Sequence, residues 1–280
     1  MKFGLYGACL GAMASADGVH AAQLAERLGY DSLWTGEHMA LPNPQAPPAH
    51  RAPKHPFFDP IVGMTHLAAH TSSIHLGLSI LILAQRHPVQ LAKELTTLDI
   101  LSNGRLIVGV GVGYLEPEFR AVGVDFKTRA ARCNDYLEAL RTLWNDDPPK
   151  YEGRFVTING VDAYPRPLTP GGPPLRVGGH SDAALRRALK YGTGWIGLNQ
   201  DPSGAAALIQ RLGAIAAETG ATLDGFEITV GTRVPLDPDV VAQYAEAGVE
   251  RLIITAEGDT IADVEAIMER NAPGNFIGSS

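Results

Sequence analysis

Cysteine is nearly missing from the 280-residue chain: Cys9 and Cys133 are the only two, and neither sits in a CxxC pair or at zinc-ligand spacing. A disulfide framework therefore has no support, and a reducing, cytoplasmic setting is the natural expectation. Long apolar runs are missing too. No stretch approaches the ~20 residues a spanning helix needs, so no membrane role is expected. Positive charge is in deficit, with 23 Lys and Arg against 30 Asp and Glu and a formal net charge of -7. That balance gives no general attraction to nucleic acid or anionic lipid, so any anionic ligand must be held by local groups. Charged residues make up only 19% against 45% hydrophobic, which supplies a sizeable core and argues against global disorder.

The N-terminus imitates a short secretion signal: Lys2, the apolar run Phe3 to Met13, then Ala14-Ser15-Ala16. Phe3 to Gly7 also has the shape of a first strand, and cleavage after Ala16 would remove it. The strand reading is the expectation.

The stretch Ile74 to Gly113 organises the rest. Ile74 to Leu83 is apolar and rich in β-branched residues, as a strand buried on both faces would be. Pro88 suits a first helical position, and Leu91, Leu95, Leu98 and Leu101 recur at helical spacing until Asn103-Gly104 stops the helix. Leu106 to Val110 is a second apolar strand, completing one right-handed βαβ unit.

Strands at Ser32 to Thr35, Leu175 to Val177, Gly194 to Leu198, Phe226 to Gly231 and Arg251 to Thr255 each precede a helical pattern. Asp17 is expected to cap the first helix and Asp59-Pro60 the second. About eight such alternations predict an α/β fold, a single (β/α)8 TIM barrel over residues 1–280, with insertion loops. One insertion is the proline-dense Met39 to Phe58, placed as a lid over the rim. Another is a small hairpin before the fifth barrel strand, Tyr151 to Val156 and Ile158 to Ala163, with Asn159-Gly160 as its turn.

Barrel chemistry sits just after the strands. Glu37-His38 ends the second strand, where an acid or base belongs, and histidine titrates near neutral pH. A structural histidine is the competing reading. GVGVG at Gly109 to Gly113 lacks the spacing and the following helix of a dinucleotide fingerprint, but its glycines let a flat ring or a phosphate approach the backbone. Gly178-Gly179-His180-Ser181-Asp182 opens a helix, where free N–H groups and the helix dipole favour an anion; ordinary capping by Ser181 competes. His66 and His70 lie one helical turn apart without a carboxylate partner, so a helix flank is expected rather than a metal site. Cys9 falls just past the first strand, as a rim lining or a small buried hydrophobe.

Thr35 to His38, Leu78 to Phe119 and Val177 to Trp195 resemble the bacterial luciferase-like family, in its deazaflavin-dependent oxidoreductase branch. The resemblance runs from about Met1 to Leu198. It implies a barrel that binds coenzyme F420, or FMN in sister branches, at the C-terminal ends of the strands. It further implies a non-proline cis peptide at Ser79-Ile80 behind the ring and catalytic roles for Glu37 and His38 beside it. Gly111 and Gly113 would lie near the cofactor's side chain, and Val177, Gly178, Gly179, His180 and Ser181 would form the phosphate turn. The implied reaction moves a hydride between F420 and a small organic substrate, His38 being the proton partner. With FMN it becomes a monooxygenase fed by a reductase. A non-catalytic cofactor carrier is the third reading, and a homodimer is the expected assembly. Met39-Ala40-Leu41 and Tyr114-Leu115 depart from the pattern of the family's sugar-phosphate dehydrogenases, so a more apolar pocket and a different substrate are expected.

Overall fold

The structure, a computed structural model, describes residues 1–276. Among the described residues ten strands form in chain order: β1 Lys2–Tyr6, β2 Ser32–Thr35, β3 His75–Ile82, β4 Leu106–Gly111, β5 Tyr151–Glu152, β6 Thr157–Ile158, β7 Leu175–Gly178, β8 Gly194–Gly197, β9 Glu227–Thr232 and β10 Arg251–Thr255. Eight of them close into a parallel barrel in the order β1-β10-β9-β8-β7-β4-β3-β2. The expected TIM barrel is the observed fold. Its helices are α1 Gly18–Arg27, α2 Pro60–Ala68, α3 Pro88–Leu101, α4 Glu116–Ala121, α5 Arg129–Asn145, α6 Asp182–Tyr191, α7 Pro202–Thr219, α8 Pro238–Glu246 and α9 Ile261–Arg270. Among the described residues, no helix is long and apolar enough to cross a membrane.

The lumen is packed in layers. Trp34 is fully buried and clusters with Ile107, Ile196 and Ile253. Glycine makes its room: a methyl group at Gly77 would lie 2.2 Å from the Trp34 ring, and one at Gly4 2.6 Å from its Nε1. Beneath this layer, at the N-terminal ends of the strands, Glu227 is shared by Arg176 at 3.3 Å, Arg251 at 3.2 Å and Lys2 at 3.0 Å. Arg251 also donates to Ser32 Oγ at 2.6 Å. The floor is thus closed by paired charge, leaving the opposite end open.

Local departures from the sequence expectations have physical causes. The hairpin exists, but β5 pairs with β6 through Tyr151↔Ile158 and Glu152↔Thr157, so the turn is Gly153 to Val156 and not Asn159-Gly160. Asp135 of α5 decides this: its carboxylate accepts from the Arg154 and Phe155 N–H groups and from the Tyr151 hydroxyl at 2.8–3.0 Å. Asp17 makes no side-chain cap to α1. Asp59 does cap α2, accepting from Ile61 and Val62 N–H, both at 2.9 Å. The polar segment after Gly113 folds into α4, whose Glu118 and Phe119 face inward and are buried.

Candidate active site

A cavity of about 590 Å³ opens at the C-terminal ends of the strands, among residues that include Tyr6, His38, Ser79, Ile80, Gly113 and Asn199. Its size suits a cofactor ring with a small substrate. At Gly36, directly after β2, a side chain would lie 2.5 Å from the Tyr6 hydroxyl, so the chain must pass as bare backbone. That passage delivers Glu37 and His38 to the rim.

Their carboxylate and imidazole do different things. Glu37 is buried, with one oxygen accepting from Ile82 N–H at 2.6 Å and the other from Arg86 Nε at 2.7 Å. Arg86 also donates to Asp59 at 2.6 Å. Burial works against the Arg86 charge, but Glu37 and Asp59 outweigh it and hold its pKa above the ordinary value. Glu37 therefore fastens the end of β2 to the turn after β3, and both its oxygens are occupied.

His38 stands free of that network. Its Nδ1 lies 3.2 Å from Glu118 Oε2, and its Nε2 lies 3.4 Å from the Tyr114 hydroxyl. Phe57 meets the imidazole edge-on at 5.1 Å. Glu118 is fully shielded from solvent, and its second oxygen accepts from the Met39 and Ala40 N–H groups at 2.5 and 3.4 Å. Because a carboxylate only accepts, the hydrogen of a neutral His38 belongs on Nδ1, leaving Nε2 to accept from the Tyr114 hydroxyl or to exchange a proton in the cavity. Burial, followed by the Glu257 charge, pushes the Tyr6 phenol up to about 12, so it stays protonated as a donor in the cavity wall.

The Ser79-Ile80 peptide is cis, and the β3/β4 register shifts between Leu78 and Leu81. Ser79 Oγ is buried in the cavity wall without a hydrogen-bond partner among the described residues. Ile80 lies over Gly111 and Gly178: methyl groups there would fall 1.9 and 3.0 Å from its side chain. Gly111 therefore supports the bulge from behind, while Gly113, at φ +75°, lines the cavity itself.

The turn Val177 to Ser181 lies at the flank, and none of its five residues lines the cavity. Val177 is buried, and Gly179 N–H already donates to Ile196 O at 3.3 Å. Ser181 caps α6 by accepting from Ala184 N–H, and exposed His180 faces Gln200 Nε2 at 3.4 Å. Cys9 packs behind the rim near Gly63, its thiol pushed up to about 12 chiefly by burial. His66 and His70 meet at a tilt with ring centres 4.6 Å apart, and no group of three or more metal-binding side chains occurs among the described residues.

Sequence reasoning missed Glu118, Tyr6 and, at the mouth, the charged cluster of Arg51, Arg233 and Glu257 with Asn199 beside it. Ile80, Ile82, Leu198 and Ile253 give the lining an apolar share, and Arg51 and Arg233 add charge to it. The available signal was the burial implied by Glu118 beside Phe119 and a lone arginine within a proline-dense loop.

The residues present fit a flat, hydrogen-bonding ring: an orphaned hydroxyl at Ser79, bare backbone at Gly36 and Gly113, and the Ile80 bulge as a backing. Comparison with known proteins places the chain in a family. The family described as luciferase-like monooxygenase matches residues 6–275. An uncharacterized protein of Mycobacterium tuberculosis is 30% identical over 268 residues, covering 90% of this chain and 91% of that one. The oxygenase component of a flavin-dependent trigonelline monooxygenase from Acinetobacter baylyi is 28% identical, over 62% of this chain and 46% of its own. An F420-dependent glucose-6-phosphate dehydrogenase from Amycolatopsis mediterranei is 29% identical, over 64% of this chain and 52% of its own. Among solved structures, an F420-dependent secondary alcohol dehydrogenase superposes with TM-score 0.81 at 17% identity, covering 99% of both chains.

Proposed function

The chain belongs to the luciferase-like monooxygenase family, and from that premise we propose that it is an F420-dependent oxidoreductase acting on a small organic substrate. Family membership and the enzymes among its relatives support catalysis in general; the choice of deazaflavin rests on the site. The observation that carries it is the His38–Glu118 pair, with Nε2 left to exchange a proton at the cavity wall.

F420, when bound, supplies or accepts a hydride at C5 of its deazaflavin ring. The chain's own residues hold, orient and protonate. Ser79 Oγ, Gly36 and Gly113 would hold the ring, with Ile80 behind it. The turn Val177 to Ser181 would take the cofactor's phosphate at the flank. His38 Nε2 would take the substrate's hydroxyl proton in oxidation or return it in reduction, with Glu118 fixing the tautomer. Tyr6 would add a neutral donor. Glu37 would act through position, holding the bend that aims His38.

A second reading is an FMN-dependent monooxygenase supplied by a reductase, favoured by the family's description and by the Acinetobacter relative. Titration with F420 and, anaerobically, with reduced FMN, followed by fluorescence and calorimetry, separates the two. Micromolar or tighter F420 binding with no FMN binding is expected. Preference for FMN would overturn the proposal in favour of oxygen-dependent chemistry. In keeping with the family resemblance, we also propose a cytoplasmic homodimer.

A further inference from the structure

The cavity's mouth holds more cation than its mechanism needs. Arg51, from the loop that follows His38, ion-pairs with Glu257 just beyond β10. Arg233, just beyond β9, reaches the same Glu257 oxygen at 3.3 Å and donates through Nε to Asn199 Oδ1 at 3.1 Å. Both guanidiniums and Asn199 line the cavity. One carboxylate thus serves two arginines on this side of the mouth, while the acids near His38 have partners of their own: Glu37, in the lining, is held by Arg86, and Glu118 by His38 and the Met39 N–H. On the Arg51–Arg233 side of the mouth, two guanidiniums against one carboxylate leave one positive charge in excess. The Asn199 amide nitrogen, its oxygen already accepting, is left to donate beside it.

This charge has a direction. Tyr6, on β1, stands between the β9 and β10 ends, where Arg233 stands and Glu257 holds Arg51, and the β2 end that carries His38. The arginines are also unequal: the Arg51 side chain is 23% exposed and Arg233 52%. Arg51 is largely fixed by Glu257, whereas Arg233 keeps donors open to the cavity. Planar forks of this kind match the two oxygens of a carboxylate or phosphate.

We infer that the substrate is an anion, a small molecule whose carboxylate or phosphate binds Arg233, Arg51 and Asn199 while its reacting carbon lies toward His38. The inference rests on the reading of this cavity as the substrate site, and it adds the substrate's charge class. It also gives Glu257 a role: it holds the loop through Arg51 and sets how much positive charge the mouth retains.

The test is calorimetric binding of benzoate, phenyl phosphate and neutral benzyl alcohol to the purified protein, alone and saturated with F420. Benzoate or phenyl phosphate should bind at least tenfold more tightly than benzyl alcohol, and the better of the two identifies the acid group. Arg233→Met, which leaves the Arg51–Glu257 pair in place, should weaken the anion tenfold or more and leave benzyl alcohol unchanged. Glu257→Gln should tighten the anion several-fold, the opposite of what a merely structural loss produces. Equal binding of charged and neutral probes overturns the inference, as does unchanged anion affinity in Arg233→Met. So does an Arg233→Met variant that loses F420 but not benzoate, since the arginines would then hold the cofactor's own acidic tail. Failure of F420 to bind the native protein would sink the cofactor reading alone, because the anion measurements on the free protein stand apart from it.

Discussion

His38 Nδ1 and Glu118 Oε2 lie 3.2 Å apart although the residues are 80 positions apart in sequence. The same carboxylate accepts from Met39 N–H at 2.5 Å, so one buried group fixes both the imidazole and the backbone that carries it. Glutamine at position 118 has one acceptor oxygen for these two donors. Glu118→Gln should therefore lower kcat about 10- to 100-fold, the range found for carboxylates that orient metal-bound histidines. The Kd for F420 should stay near the native value. Nitrogen-15 NMR of His38 should show the Nδ1–H tautomer in the native protein and a mixture in the variant. An unchanged tautomer with unchanged kcat would remove Glu118 from the mechanism.

Gly77 of β3 is the register partner of Trp34 on neighbouring β2, and a methyl group there would come within 2.2 Å of the indole ring. Gly77→Ala should cost about 1–3 kcal/mol, the range for overpacking a filled core. Trp34→Phe opens space at that point, so the double variant should be more stable than the sum of the two losses. Urea unfolding of the four proteins measures the coupling, and strict additivity would mean that the ring and the glycine do not compete for space.

The barrel was legible because its signals are local. A run such as Leu106 to Val110 carries its own burial pattern, and Asn103-Gly104 stops α3 where positive φ values of 57° and 77° are found. Glu37 and His38 were legible because the end of a strand is itself a local position. Glu118 was not, since its partner is reached only after β3, α3 and β4 have folded. Arg51, Arg233 and Glu257 come from three loops whose meeting depends on barrel closure. The Asn159-Gly160 hairpin signal failed for the same reason: Asp135, on a different element, supplies the acceptors that fix the turn earlier in the chain.

Glu227 closes the barrel floor among Arg176, Arg251 and Lys2. Burial tends to raise its carboxyl, but Arg176 and Lys2 outweigh that and hold it below the ordinary glutamate value. Replacing it leaves two buried guanidiniums without their shared partner, and breaking such a cluster costs about 3–5 kcal/mol. Glu227→Gln should lower the urea midpoint sharply, with cofactor affinity preserved in the fraction that stays folded. A midpoint equal to native would show that Asp31, Ser32 and Thr193, which also bind these arginines, suffice to hold the floor.

Glu26 links α1 to the loop before β3: a single oxygen accepts from the N–H groups of Ser72, Ser73 and Ile74 and from the Ser73 hydroxyl, at 2.5–2.9 Å. Burial works to raise its pKa, yet these bonds hold it at about 2. In the unfolded chain a glutamate titrates near about 4.3, so below that pH protons favour the unfolded state. The contribution of Glu26 is then complete above about pH 5 and is lost as the pH falls toward 2. The site is largely open to water, so screening limits its worth to about 1–2 kcal/mol. Glu26→Gln resembles the protonated acid and should be destabilised by that amount at pH 7. Its deficit should shrink steadily in urea titrations carried down toward pH 3. A deficit that stays constant with pH would mean that the carboxylate's shape, and not its charge, holds the loop.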